Sequence, residues 1–260
     1  MMLAILSPSK RQRFPGITVD EALREKLFGY PQWLGKAEKV AAVLKSWAPH
    51  VMARHLHVSD TLAVREAALF DDWDADARYP QVVPAVLAYD GDAYRTLDAV
   101  TMSVENWLYL NRHMRILSAL YGVMKPFDCV VPSRVGFDAT AVRPDGRGLY
   151  DYWRDTVTQS LNRAMEETGN DVLVNLASAE FSRVIDRRAL AGKMVTPVFQ
   201  DIRQGKARVV SLYAKQARGL MMRYAAVHAI TDAGELRRFD EGGYRFDAAA
   251  SDDTVWVFRR

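Results

Sequence analysis

The chain has 260 residues, of which 49% are hydrophobic and 26% charged, the proportions of a folded globular protein rather than of a disordered, collagenous or coiled-coil chain. Thirty-five Lys and Arg against 32 Asp and Glu leave a net charge of +3, too small by itself to mark a nucleic-acid binder. No apolar run approaches the ~20 residues of a membrane-spanning helix. The N-terminus lacks the basic-then-apolar pattern of a leader, and the single cysteine, Cys129, excludes an internal disulfide or a multi-thiolate metal site, so a cytoplasmic protein is expected.

Residues 2–6 predict a buried strand emptying into Ser7-Pro8. Past Phe14-Pro15-Gly16, helical spacing covers 19–28, 33–47 and 60–70, the last with Ser59 as N-cap, which makes a helical insertion. Residues 83–89 predict a strand, Asp90-Gly91-Asp92 a turn, and Ser103 caps a helix over 104–113. Residues 115–120 read as a strand or a short buried helix leading into Tyr121-Gly122. A loop through Arg147 precedes a helix over 150–167 that stops at Gly169-Asn170. A strand at 172–176 follows, then a hairpin of 195–200 and 207–213 around Arg203-Gln204-Gly205-Lys206, a helix over 214–230, and strands at 244–246 and 255–259. With no repeat and no linker, this order predicts one α/β domain over 1–260 with a mixed β-sheet.

Charge is unevenly spread. Residues 66–98 hold eight acids against two bases, whereas residues 203–223 hold six bases and no acid. Either the two stretches neutralise each other, or the molecule has a basic side that attracts phosphate or another anion. Several groups fall where such a ligand would meet them. Ser7-Pro8-Ser9-Lys10 lies just past a strand end, where α/β folds gather ligand groups. Lys215, Arg218 and Met222 share one helix face. Asn175, Ser178 and Glu180 follow the strand at 172–176, with Glu180 a candidate general base; alternatively Ser178 is an N-cap and Glu180 a first-turn acid. Leu117 to Val123 fits the first half of a helix-hairpin-helix, whose glycine turn brings backbone N–H groups to a DNA phosphate, although the second glycine expected near Met124 is missing. The histidines lack metal-ligand spacing, and no dinucleotide, Walker or nucleophile-elbow motif occurs, so neither a metal nor a cofactor is expected.

Several strings together resemble the YaaA family of bacterial peroxide-stress proteins. They are Ser7-Pro8-Ser9-Lys10, Tyr89 to Tyr94, Leu117 to Pro126, Pro132-Ser133-Arg134, Leu149 to Trp153, Asn175 to Phe181, Ser211 to Gly219 and Gly243-Tyr244. The resemblance implies a compact α/β protein of unusual fold, a basic cleft, affinity for duplex or distorted DNA, and a role in limiting iron-driven oxidative damage. The chain departs from the family strings at Ser133, Val135 and Gly136, losing an aromatic and an acid, and at Arg154, Ala179 and Phe181, which points toward a changed substrate or partner.

Two functions follow as expectations. The first is sequence-independent DNA binding, with Lys10, Arg115, Lys125, Arg134, Lys206, Arg208, Lys215, Arg218 and Arg223 contacting phosphates along a basic cleft. The second is an enzyme using the same cleft for a small anionic or nucleotide-like substrate. In it Lys10 and Arg218 clamp the anion, Lys10, Tyr121 and Glu180 are catalytic candidates, and Ser7, Tyr150, Asn175, Ser178 and Glu180 line the pocket. A protein-interaction surface on the acidic stretch is a third possibility. No membrane partner is expected.

Overall fold

The computed structural model describes residues 2–13, 19–78, 82–131, 133–169 and 171–260. Phe14-Pro15-Gly16, Pro132 of the Pro132-Ser133-Arg134 string and Asn170 of the expected Gly169-Asn170 helix stop lie outside the described residues. Strand β1 (Met2–Leu6) is buried along its whole length, as an apolar run must be when helices cover both faces of a sheet. The helical insertion follows as α1 (Glu21–Leu27), α2 (Leu34–Lys45), α3 (Pro49–Leu56) and α4 (Asp60–Asp71). In α2, buried Ala37, Val40, Ala41 and Leu44 repeat at i, i+3, i+4 and i+7. Ser59 caps α4 by accepting the Leu62 N–H. Helix α3 adds to the three stretches read from spacing, and its end falls at His55–His57, where the sequence reads as the end of a helix; Pro49 starts it and left-handed His57 ends it.

The stretch expected as a strand over 83–89 divides into β2 (Val83–Pro84) and one turn of helix, α5 (Ala85–Ala88), closed by Tyr89 N–H to Ala85 O. A short buried apolar run serves either state, so spacing alone could not choose. Then come α6 (Asp92–Leu97), α7 (Val104–His113), β3 (Met114–Ser118), β4 (Gly122–Met124), β5 (Cys129–Val130), α8 (Leu149–Glu167), β6 (Val172–Leu176), α9 (Ala179–Ser182), β7 (Lys193–Arg203), β8 (Lys206–Arg208), α10 (Ser211–Val227), β9 (Arg245–Phe246) and β10 (Val255–Arg259). The hairpin's second strand stops at Arg208 because α10 begins at Ser211, burying Ala214, Ala217, Met221 and Met222 on one face.

The sheet runs β4-β3-β1-β6-β7-β10-β9, with β8 paired to β7. Strands β3, β1, β6, β7 and β10 are mutually parallel, while β4, β8 and β9 add antiparallel pairings. This is the mixed α/β sheet expected.

The Leu117–Val123 stretch forms a β-hairpin, not half of a helix-hairpin-helix: Leu117 pairs with Val123 and Ser118 with Gly122. The Ser118 hydroxyl accepts the Leu120 and Tyr121 N–H groups and closes the turn. Gly122 has φ +74°, and a Cβ there would lie 2.5 Å from the Trp153 ring. This glycine thus lets α8 press against the hairpin, where buried Trp153 donates Nε1–H to Ala119 O at 2.9 Å. Between α6 and α10 the approach is closer still, because a Cβ on Gly219 would fall 1.9 Å from Ala93 O.

Candidate functional site

A cavity of about 460 Å³ opens at the carboxyl ends of β1 and β6. These adjacent strands mark the place where connections part, β1 leading toward β3 on one side and β6 toward β7 on the other. Such a switch point leaves a crevice that neither connection covers, and open α/β sheets bind ligands there.

One wall is the loop after β1. Ser7 Oγ accepts the Ser178 N–H at 2.8 Å and lies 3.3 Å from Ser178 Oγ, so the two strand ends are stitched together. Tyr94 donates its hydroxyl to Ser7 O at 2.7 Å. Ser9 packs on Gly91, where a Cβ would meet Ser9 Oγ at 2.5 Å. Held in this way, the loop presents exposed Lys10 at the cavity.

The opposite wall is α10, with Lys215 and Arg218 one turn apart. Arg218 Nε is sealed from solvent and has no hydrogen-bond partner. Among the described residues no carboxylate lies within ion-pair distance of this guanidinium. Burial holds its pKa below the usual arginine value, with no neighbouring charge to offset the cost.

Glu180 sits in the first turn of α9, half-buried, its Oε1 accepting the Phe137 N–H at 3.1 Å. Burial pushes its carboxyl up, the Asp138 charge adds to that, and Lys10 opposes both. The two carboxyls share the space above Gly136, where a Cβ would lie 2.4 Å from Asp138 Oδ1 and 2.6 Å from Glu180 Oε1. Ser178 occupies the N-cap position of α9, but its side chain makes no capping bond and turns to Ser7 instead.

A smaller adjoining pocket shares Pro8, Ser9, Lys10 and Phe181 with the cavity and adds Arg134. Arg134 also bonds through its backbone to buried Glu66, whose carboxyl is pushed up by burial. Thus Lys10, Glu180, Lys215 and Arg218 meet in one cavity with Ser7 and Ser178, and Arg134 stands next door.

The remaining cations expected on the same wall lie elsewhere. Arg115 and Lys125 line a different cavity, at the start of β3. Arg223 is engaged at the end of α6, donating to Leu97 O, Asp98 O and Thr101 Oγ1. Lys206 and Arg208 are exposed on the β7–β8 hairpin.

Three other expected site groups have structural partners. Tyr121 is 3% exposed, accepts from Trp73 Nε1 and the Val131 N–H, and has its phenol pushed up to about 12, chiefly by burial. Asn175 is buried and closes the turn after β6 through the Ala177 N–H. Tyr150 supports the cavity from behind, donating to Glu180 O at 2.9 Å and stacking on Phe137. Asp138 was not singled out from sequence, and Gly136 only as a departure from the family strings, standing where they carry an acid. Among the described residues no cluster of three or more His, Cys, Asp or Glu is placed to hold a metal.

Fold and cavity together describe an α/β protein with a mixed sheet and, at its switch point, a cavity lined by Lys10, Glu180, Lys215 and Arg218. Residues 2–250 match the family model described as "Peroxide stress protein YaaA". The chain is 40% identical over 259 residues to a UPF0246 protein of Ralstonia pickettii, covering all of this chain and 99% of that one. It is 36% identical over 259 residues to a UPF0246 protein of Neisseria meningitidis, covering all of this chain and 98% of the relative. The chain belongs to the YaaA family of peroxide stress proteins. No helix among the described residues is long and apolar enough to cross a membrane.

Proposed function

We propose that this family member binds a small oxyanionic, nucleotide-like ligand in the cavity between β1 and β6 and moves a proton on it through Glu180. The observation that carries this reading is Arg218, a largely buried guanidinium with an unpartnered Nε and no carboxylate within reach. A cation kept this way costs stability unless a ligand supplies the missing charge. Lys10 and Lys215 line the same cavity and suit a phosphate or carboxylate. Glu180, with its carboxyl pushed up by burial and by Asp138, is suited to hold a proton closer to neutrality than an ordinary glutamate, as general acid–base work needs. The cavity volume accommodates a small molecule rather than a duplex.

The test is a thermal-shift screen of phosphorylated and carboxylated metabolites on the wild type and on Arg218→Met. A ligand at about 100 times its Kd adds about 2.7 kcal/mol, or roughly 5–10 °C in Tm for a chain of this size. The shift is expected to be larger in the wild type than in Arg218→Met; equal shifts in both proteins, or none in either, refute the reading.

A second reading, sequence-independent DNA binding, draws on the exposed hairpin. Arg203, Lys206 and Arg208 lead from it into α10 and Lys215 with no acid between. Four phosphate contacts give a slope of log affinity against log salt of about −3.6. A flat salt response removes this reading.

A further inference from the structure

The start of β3 faces a second cavity, of about 580 Å³, set between the end of α1, the end of α7, β4 and the second half of α8. It lies away from the β1–β6 cavity, at the opposite end of β3 from Ser118, which lines the pocket beside Lys10. Arg115 lines it and is only 7% exposed. One nitrogen, Nη1, is committed to three carbonyls: Met114 O at 2.7 Å, Asn111 O at 3.1 Å and Arg112 O at 3.4 Å. These bonds hold the guanidinium plane in place. Its other edge, Nε and Nη2, has no hydrogen-bond partner among the described residues, yet neither atom is sealed from solvent as Arg218 Nε is.

The acids nearby do not occupy that edge. Among the described residues no carboxylate comes within ion-pair distance of Arg115. Asp128 is committed, its Oδ2 accepting the Lys125 N–H at 2.8 Å and its Oδ1 packed against Gly29. Exposed Glu167 stands at the rim. Also exposed there are Lys26, Lys125 and Arg163, so four cations line the space against two acids. A pinned guanidinium edge of this kind is pre-organised for two parallel N–H···O bonds to one oxyanion. The cationic excess favours a ligand with more than one negative charge.

We propose that this cavity is a second ligand site, separate from that at β1 and β6, which takes a phosphorylated small molecule with its phosphate on the Nε/Nη2 edge of Arg115. Lys26, Lys125 and Arg163 neutralise the remaining charge, and the rings of Phe28 and Tyr30 border the space left for an organic moiety.

The experiment is calorimetric titration with inorganic pyrophosphate and with ADP, on the wild type, Arg218→Met, the double variant Lys125→Glu/Arg163→Glu and the triple variant that combines all three substitutions. Lys125 and Arg163 are used because Arg115 also ties up carbonyls of the fold, whereas these two side chains are exposed. The wild type is expected to bind two equivalents and Arg218→Met one. That remaining site should weaken at least tenfold when Lys125→Glu and Arg163→Glu are added. In Arg218→Met the backbone amide resonances of Gly29, Lys125 and Asp128 should move with ligand. A tighter ADP site assigns the ring-lined space to an organic moiety, and equal affinities assign the site to inorganic phosphate chains; both support the phosphate chemistry. A single wild-type site that survives Arg218→Met and is lost in the double variant supports this inference and defeats the proposal for the β1–β6 cavity. A single site abolished by Arg218→Met, unmoved amides at 29, 125 and 128, or no binding at all overturns it.

Discussion

Replacing Asp128 by Asn tests how the buried polar groups at the start of β3 are held. Burial pushes the Asp128 carboxyl from 3.8 to about 6, against the opposing pull of the Lys125 N–H bond and the Lys125 and Arg115 charges. An acid whose folded pKa is raised holds its proton more tightly in the folded state. Its stabilising contribution is therefore full below about pH 4 and is lost as the pH rises through about 6. A separation of about two pH units, at about 1.4 kcal/mol each, comes to about 3 kcal/mol forgone at neutral pH. Asparagine keeps an acceptor for the Lys125 N–H, which Asp128 Oδ2 meets at 2.8 Å, without the charge. Relaxation and water entry reduce the gain, so Asp128→Asn should be about 1–3 kcal/mol more stable than the wild type at pH 7.5. The two proteins should converge near pH 4. Urea unfolding across pH 4–8 measures this from the midpoints at a common slope. A variant less stable than the wild type at pH 7.5, or a gap that ignores pH, would refute the reasoning.

Three further substitutions separate fold from site. Arg218→Met removes a largely buried, unpartnered charge and keeps an unbranched chain, so the ligand-free protein should melt roughly 2–6 °C higher by calorimetry; a lower Tm would mean that the guanidinium has a partner within the fold. Gly219→Ala should destabilise by about 2–3 kcal/mol in denaturant unfolding, because its Cβ would fall 1.9 Å from Ala93 O and 2.2 Å from Thr96 Oγ1. Helix propensity alone gives the opposite sign, about 0.5–1 kcal/mol of stabilisation, so an unchanged or stabilised variant would show that α6 and α10 do not touch there. Gly136→Ala meets only the ends of the Asp138 and Glu180 side chains, at 2.4 Å and 2.6 Å; its own stability should change by less than about 1 kcal/mol, while ligand-induced thermal shifts at the β1–β6 cavity disappear. Retention of the full ligand shift would remove the carboxyl pair from the site.

Much of the local structure was legible from residue order. The apolar runs at 2–6 and 172–176 form buried parallel strands, and the 3.6-residue spacing across Leu34–Lys45 and Leu149–Glu167 forms the helices it predicts. The gathering of polar side chains after strand ends was legible too, because a chain leaving a buried strand must surface at the sheet's edge, and Ser7, Lys10, Ser178 and Glu180 all line one cavity from such exits. Short apolar runs without a decisive period were not, which is why 83–89 splits between strand and helix.

The grouping of charges belonged to the tertiary structure. Residue order placed Arg115, Lys125 and Arg223 among the candidate phosphate contacts on one wall, yet strand direction sends the first two to the far end of β3 and α6 engages the third. Gly122 looked like a phosphate-binding turn until strand pairing set it against Trp153. Spacing along a chain fixes which side chains share a face, because that depends on a local repeat of 2 or 3.6 residues. Which strand ends become neighbours, and so which charges meet across a cavity, depends on pairings between segments more than 100 residues apart, such as the Ser7–Ser178 stitch, and no local repeat encodes them.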